Sequence, residues 1–377
     1  MGILSTIELK KANLPRAGQP PPQERFLFID SLRGMAALAI ACYHIHRYGP
    51  LREPAEMLLP DLLEYLVKHG WMGVQVFFVI TGFVGAYTLR NAKTTPASFW
   101  NFILRRLIRL GGPYWAGLVL VAALNYFVVS LLQDQSLSGQ VTWPQFFAHV
   151  TFLQDILSYE TICAGLWFVS IDLQWGLVFY ILLCLAERSH RNQKSDREAN
   201  GRLLIALFFP PALLALFVFN PHDRFDMWII YFFHMPLFGA LAWWTLDKRT
   251  PPIAFWAYAA ALLAGLAIRV RLEIAMATLT GLTIYLAGQF GGLCGWLSAR
   301  PLHYLGRISY SLFLIHYPAS WVVIKLGHCL TGTRPLPAVL WLGLALAASI
   351  AAAHLLYVLV EKPTLQLARW LNPSGIG

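Results

Sequence analysis

The sequence predicts an all-α integral membrane protein, a bundle of about ten transmembrane helices with its N-terminus in the cytoplasm. Three observations carry this expectation. Of 377 residues, 57% are hydrophobic and only 13% charged, where a soluble domain carries about a quarter. Mean hydropathy is +0.55, and apolar runs of about 20 residues recur along the whole chain. The net charge of +10 comes mainly from Lys and Arg between those runs, as orientation in a membrane requires. No RNP motif, zinc finger or basic helix points to nucleic acid.

Residues 1–25 are polar and Pro-rich (ANLPRAGQPPPQER). They lack the apolar core of a signal peptide and read as a flexible cytoplasmic tail. Spans are then predicted at 28–47, 71–89, 113–133, 166–186, 203–219, 227–246, 252–268, 272–288, 309–326 and 337–359. Pro210 and Pro211 predict a kink in the fifth. The seventh and eighth are joined by a very short loop near Arg269 and Arg271. With the N-terminus inside, about 20 basic residues fall on the inner side and about 8 on the outer, an asymmetry that an odd number of spans would destroy. Two outer segments, 58–71 and 143–157, mix aromatic and polar residues at helical spacing. They read either as amphipathic helices in the interface or as packed helical connections. Five dispersed cysteines without CxxC spacing suggest neither a disulfide framework nor a metal site. No repeat of about 20–50 residues is visible.

The chemistry concentrates in the first span, FLFIDSLRGMAALAIACYHIHRYG (26–49), which carries Asp30, Arg33, His44 and His46. A charge at the bilayer centre costs about 2.5–3.5 kcal/mol on insertion scales. Eleven residues separate Arg33 from His44, so both project from one helix face, about 16 Å apart along the axis. Asp30, three residues before Arg33, is within pairing reach. His46 points away from His44, which argues against a metal chelate. Histidine suits general-base work because its ordinary pKa lies near neutrality. The alternative is a structural Asp30–Arg33 pair and a histidine bonded between helices.

LRGMAALAIACYH resembles the first-helix arginine–ten residues–histidine motif of the membrane acyltransferase-3 family, multi-span bacterial enzymes that O-acylate carbohydrates and other acceptors. The likeness continues in order along the chain. GVQVFFVITGF (73–83) is similar to the family's GVDxFFVxSGF. FILRRLIRLGGPYW (102–115) matches its basic loop and the start of the third helix. LWFVSIDLQWGLVFY (166–180), YLGRISYSLFLIHYP (304–318) and VEKP (360–363) resemble LWSLSVEEQFYLxxP, LGxxSYSLYLWHxP and VEKP. Gln75 stands where the family usually has an acid, Thr81 replaces a serine, and Asp172 and Leu173 replace the two glutamates of VEEQ.

The resemblance implies a single transmembrane acyltransferase domain over 26–370, followed by a short tail over 371–377, in a bacterial cytoplasmic membrane. It implies an acyl-CoA co-substrate, acetyl-CoA foremost, on the cytoplasmic side. The acceptor is a hydroxyl of a carbohydrate or lipid-linked glycan reached from the membrane or the outer side. No permanently bound cofactor, metal or nucleic acid is expected. His44 is the expected base, Arg33 either positions the donor or orients the histidine through neighbouring groups, and Asp30 holds Arg33. Arg105, Arg106 and Arg109 either clamp donor phosphates or are ordinary positive-inside flanks. Thr81, Ser170 and Tyr310 are either site hydroxyls or packing hydrogen bonds. Asp172 is the one candidate to keep the motif's carboxylate. His316 lines the same cavity or is buried structurally, and Glu361 binds donor or closes the last span. Trp115 and Trp167 stack on ligand or anchor the interface. A secondary transporter is the competing class, but the similar halves and matching broken helices it would favour are not visible.

Overall fold

The computed structural model describes residues 26–91, 95–132, 141–190 and 197–371, and the expectations for the tails at 1–25 and 372–377 lie outside them. Among the described residues every regular element is helical: α1 (Leu27–Arg47), α2 (Arg52–Glu56), α3 (Pro60–His69), α4 (Gly73–Thr88), α5 (Pro96–Leu132), α6 (Trp143–Val150), α7 (Leu166–His190), α8 (Arg197–Leu214), α9 (Ile229–Phe232), α10 (His234–Leu246), α11 (Pro252–Ile268), α12 (Leu272–Gln289), α13 (Arg300–Thr331), α14 (Pro335–Leu356) and α15 (Lys362–Trp370). A helix satisfies its backbone within itself, which hydrocarbon demands. Outward-facing apolar side chains such as Ile268, Leu340 and Leu355 stay exposed, as a lipid-facing surface does.

Among the described residues, six helical stretches are long and apolar enough to cross a membrane: Leu27–Arg47, Pro60–Thr88, Ala97–Val129, Leu166–Glu187, Ala199–Phe219 and Pro335–Trp370. The other expected segments are helical too, but differ in length or composition. The span expected at 227–246 breaks at Phe233 into α9 and α10. Pro236 explains the break, because it supplies no N–H to the Phe232 carbonyl one turn earlier. α8 runs through Pro210 and Pro211 and passes into a single π-helical stretch at Ala215–Phe219. The segment 102–112, expected as a basic loop, is instead the middle of α5, which runs 37 residues through Pro113. Likewise α13 extends the span expected at 309–326 to 32 residues. The amphipathic segment at 58–71 is helical as α3. That at 143–157 is helical only to Val150 and then turns.

The site depends on the packing of α1 against α13, the most extensive helix pair together with α13 and α14. Glycines permit it. A Cβ on Gly306 would lie 2.1 Å from the Asp30 carbonyl oxygen, and one on Gly34 would lie 2.6 Å from the Gly306 nitrogen. Close backbone approach through small residues is the usual device for joining helices where no hydrophobic drive exists. Beside this pair, buried aromatic rings (Phe78, Phe83, Trp175, Phe179, Phe208, Phe233, Phe238 and Trp244) fill the core between α4, α7, α8 and α10.

Candidate active site

His44 sits in the last turn of α1 and meets His316 on α13, with His44 Nδ1 2.9 Å from His316 Nε2. His316 Nδ1 lies 2.9 Å from the Leu312 carbonyl, one turn back on its own helix. A carbonyl only accepts, so His316 Nδ1 carries a proton and donates it. In a neutral imidazole the other nitrogen is then an acceptor. His44 Nδ1–H therefore donates to His316 Nε2, and His44 Nε2 keeps its lone pair. Ser349 on α14 fixes the far side by donating to the His316 carbonyl at 3.1 Å. His44 also lines a cavity of about 270 Å³ with Ile40, Tyr43, Trp71, Val74, Gln75, Ala164, Trp167 and Phe313.

The other end of α1 faces a cluster of charges. Arg106 on α5 donates through Nη2 to both the backbone oxygen and Oδ2 of Asp172 on α7, each at 2.8 Å. It reaches them across Gly176, where a Cβ would lie 2.4 Å from Arg106 Nε. Ser311 on α13 donates to Glu361 Oε2 at 2.6 Å, and Tyr310 donates to the Leu110 carbonyl at 2.6 Å. Arg109, one turn after Arg106, remains exposed, although Arg33, Arg106, Glu361 and Asp172 all lie within its electrostatic reach. Three guanidiniums (Arg33, Arg106, Arg109) face two carboxylates (Asp172, Glu361), which leaves one positive charge in excess. An exposed guanidinium beside surplus positive charge suits a phosphate or carboxylate.

Several expected residues stand elsewhere. Arg33 also lies within electrostatic reach of Glu361, on another helix. Arg105 bonds the Asn101 carbonyl at 3.2 Å and lies beside Tyr180, away from the other two arginines. Adjacent positions on a helix diverge by about 100°, which separates it from Arg106. Trp115 donates to the Val150 carbonyl at 3.0 Å and so fastens the turn after α6. Thr81 is half-buried on α4, outside the cavity lining. Ser170 is buried and accepts a 2.6 Å bond from Gln154. Sequence reasoning missed Tyr43, Trp71, Ser311 and Gln154. Tyr43 adjoins His44, and Trp71 precedes Gln75 by one turn, so their signal was adjacency to motif positions.

Gln154 belongs to the segment 151–165 that covers the His44 end of the bundle. His149 anchors it, with Nδ1 donating to the Gln145 carbonyl at 2.8 Å and Nε2 accepting from the Ile162 N–H at 3.1 Å. Asp155 accepts from Gln154 Nε2 at 2.9 Å. Burial, and secondly the nearby Asp226 carboxylate, pushes its pKa up to about 6.

Comparison with known proteins decides the family. Residues 26–358 match the acyltransferase-3 description, an acyltransferase domain. The chain belongs to the acyltransferase-3 family. It is similar to acyltransferase MdmB of Streptomyces mycarofaciens, 26% identical over 92% of this chain and 94% of that protein. It is also similar to a putative membrane-bound transacylase, BcsY, of Komagataeibacter xylinus, 25% identical over 79% of this chain and 73% of that one. A stretch covering 33% of this chain is 29% identical to a regulator of hypoxia-inducible factor 1 from Caenorhabditis elegans. No solved structure matches. Family membership and the apolar helices together make this an integral membrane acyltransferase.

Proposed function

We propose that the protein transfers an acyl group from acyl-CoA, acetyl-CoA foremost, to a hydroxyl of a carbohydrate or lipid-linked glycan, with His44 as general base. The chain crosses a bacterial cytoplasmic membrane about ten times with its N-terminus inside. The donor then enters at the Arg33 end and the acceptor at the His44 end. What supports this reading above all is the His44–His316 bond. It commits Nδ1 and leaves the lone pair of His44 Nε2 for the cavity that His44 lines.

Arg33 and Arg109 take the donor phosphates, and the flexible pantetheine arm runs along α1 to bring the thioester to His44. His44 Nε2 removes the proton from the acceptor hydroxyl as its oxygen attacks the thioester carbonyl. The new C–O bond forms and the C–S bond breaks. The departing thiolate takes the proton back from His44, so CoA leaves as the free thiol and the imidazole is neutral again. Such a base contributes about 10²–10⁴-fold to rate. Arg106, tied to Asp172, shapes the donor site rather than gripping the phosphates itself.

The test is release of free CoA thiol by the purified protein in lipid, with acetyl-CoA and a glycan acceptor. Thiol release that depends on acceptor, and that falls at least about 100-fold in His44→Ala, is the expected result. Equal release by both proteins would overturn the assignment of the base.

A further inference from the structure

The cavity beside His44 carries chemistry that the transfer reaction alone does not explain. Gln75 is 4% exposed and its Oε1 is wholly buried with no hydrogen-bond partner among the described residues. Gln75 also lines the cavity. A buried acceptor without a partner is destabilising until a donor reaches it. The cavity lining contains no Lys, Arg, Asp or Glu. Arg47 lies instead over the rings of Tyr43 and Tyr48, at 5.7 and 5.9 Å from their centroids.

Two indoles form walls. Trp71 is held by its Nε1–H bond to the Lys68 carbonyl at 2.9 Å. Trp167 packs on Phe232 with centroids 5.8 Å apart. Flat aromatic groups accept the C–H face of a saturated ring, while a lone carboxamide orients one polar edge. The volume of about 270 Å³ falls just below the range of about 300–1,000 Å³ for drug-sized sites, which suits one ring rather than a chain.

We propose that this cavity selects an uncharged, ring-shaped polyol, and that Gln75 Oε1 accepts a hydrogen bond from one of its hydroxyls. The inference rests on the proposed function in taking this cavity as the acceptor side. It adds a specificity residue and excludes a class. A carboxylate or phosphate drawn into this lining is desolvated without a cation to meet it. Gln75 occupies the position in GVQVFFVITGF where the resembling pattern has an acid. The carboxamide keeps the hydrogen-bonding capacity of that position and removes its charge. Gln75 is thus a specificity residue in direct contact with the acceptor, and His44 handles the proton.

Calorimetry on the full-length protein in detergent tests this without turnover. Methyl glucopyranoside and its uronate, methyl glucuronide, differ in a carboxylate at neutral pH. The wild type is expected to bind the neutral glycoside at least about tenfold more tightly, and Gln75→Met to lose about tenfold in that affinity. In turnover, Gln75→Met raises the acceptor KM by the same factor and moves the donor KM by less than about twofold. Equal affinities for the two glycosides, or no binding of either, overturns the proposal. The wild-type comparison needs no variant to fold. Binding of the neutral glycoside without consumption of acyl-CoA would sink the transfer reading and leave the selectivity standing. Turnover without discrimination would do the reverse.

Discussion

The two ends of α1 hold polar groups under opposite conditions. At the Arg33 end the charges are numerous, unequal in sign and partly accessible: Arg109 is exposed beside a bonded Arg106–Asp172 pair and a bonded Ser311–Glu361 pair. At the His44 end the cavity lining holds no Lys, Arg, Asp or Glu, and a hydrogen bond between two imidazoles fixes its one base. Surplus charge attracts a charged partner over distance, whereas a buried lining without charged side chains strengthens the few dipoles it contains. On the proposed function, one helix presents a docking end and a reacting end about 16 Å apart. The pairing of roles needs both conditions at once.

The largest expected effect strikes the reacting end. His44→Ala leaves the donor cluster intact but removes the base, so kcat falls by about 10²–10⁴-fold while the donor KM changes little. Stopped-time thiol release at saturating acyl-CoA checks it. A donor KM that rises in parallel would show that the two ends are not separable.

At the docking end, two neighbouring arginines are expected to fail differently. Arg106→Ala strips Asp172 of its partner inside the bundle, and Asp172 Oδ1 already lacks one. Breaking a buried pair costs about 3–5 kcal/mol, so thermal unfolding in detergent shows a marked fall in Tm. The double change Arg106→Met with Asp172→Leu recovers most of it, because no charge is then left unpaired. Arg109→Ala removes a guanidinium that has no hydrogen bond among the described residues, and the fold keeps its stability. The acyl-CoA KM rises instead, by about 10–100-fold, the range of charge-assisted hydrogen bonds at about 1.5–3 kcal/mol. A fall in Tm for Arg109→Ala with an unchanged KM would exchange the two roles.

The His316 prediction sharpens the tautomer argument. His316→Leu frees His44 to rotate and to change tautomer, and kcat falls by about tenfold or more, the worth of one orienting hydrogen bond. His316→Gln keeps an acceptor oxygen near the position of Nε2 and restores most of the rate. A structural role alone would not distinguish Leu from Gln in kcat once both fold.

The all-helical class and the family were legible in the sequence because long apolar runs and six ordered motifs are local in the chain. Arg33 and His44 were placed on one face by helical arithmetic alone. What was not legible depends on contacts between distant helices. Nothing in IHYP told that His316 would take its bond from His44 rather than pack alone, since 272 positions separate them. Arg105, Arg106 and Arg109 look equivalent as a basic run, and only the direction of each around α5 divides them. Gly176 reads as an unremarkable helix residue until Arg106 is found lying across it. Spacing showed that Asp30 and Arg33 could meet, but not that Glu361, on another helix, would also lie within electrostatic reach of Arg33.

The smallest effect concerns the segment 151–165 over the reacting end. Asp155 is held up to about 6 by burial and then by Asp226, from an ordinary value of 3.8. Asp226 is itself raised, by burial and then by Asp223, so the carboxylates named there share one sign. A carboxyl whose folded pKa exceeds its unfolded one binds more protons when folded, so stability falls as pH rises between the two values. The contribution is complete below about pH 4, is lost on passing through about 6, and is absent at pH 7. Hydrogen exchange over 151–165 is therefore expected to slow on acidification from pH 7 to pH 5 relative to the helices, after correction for intrinsic rates. Asp155→Asn removes the titration and holds exchange at the slow level throughout. Faster relative exchange at pH 5 would mean that the carboxylate, not the acid, holds this cover in place, and that the reacting end is more polar than its lining indicates.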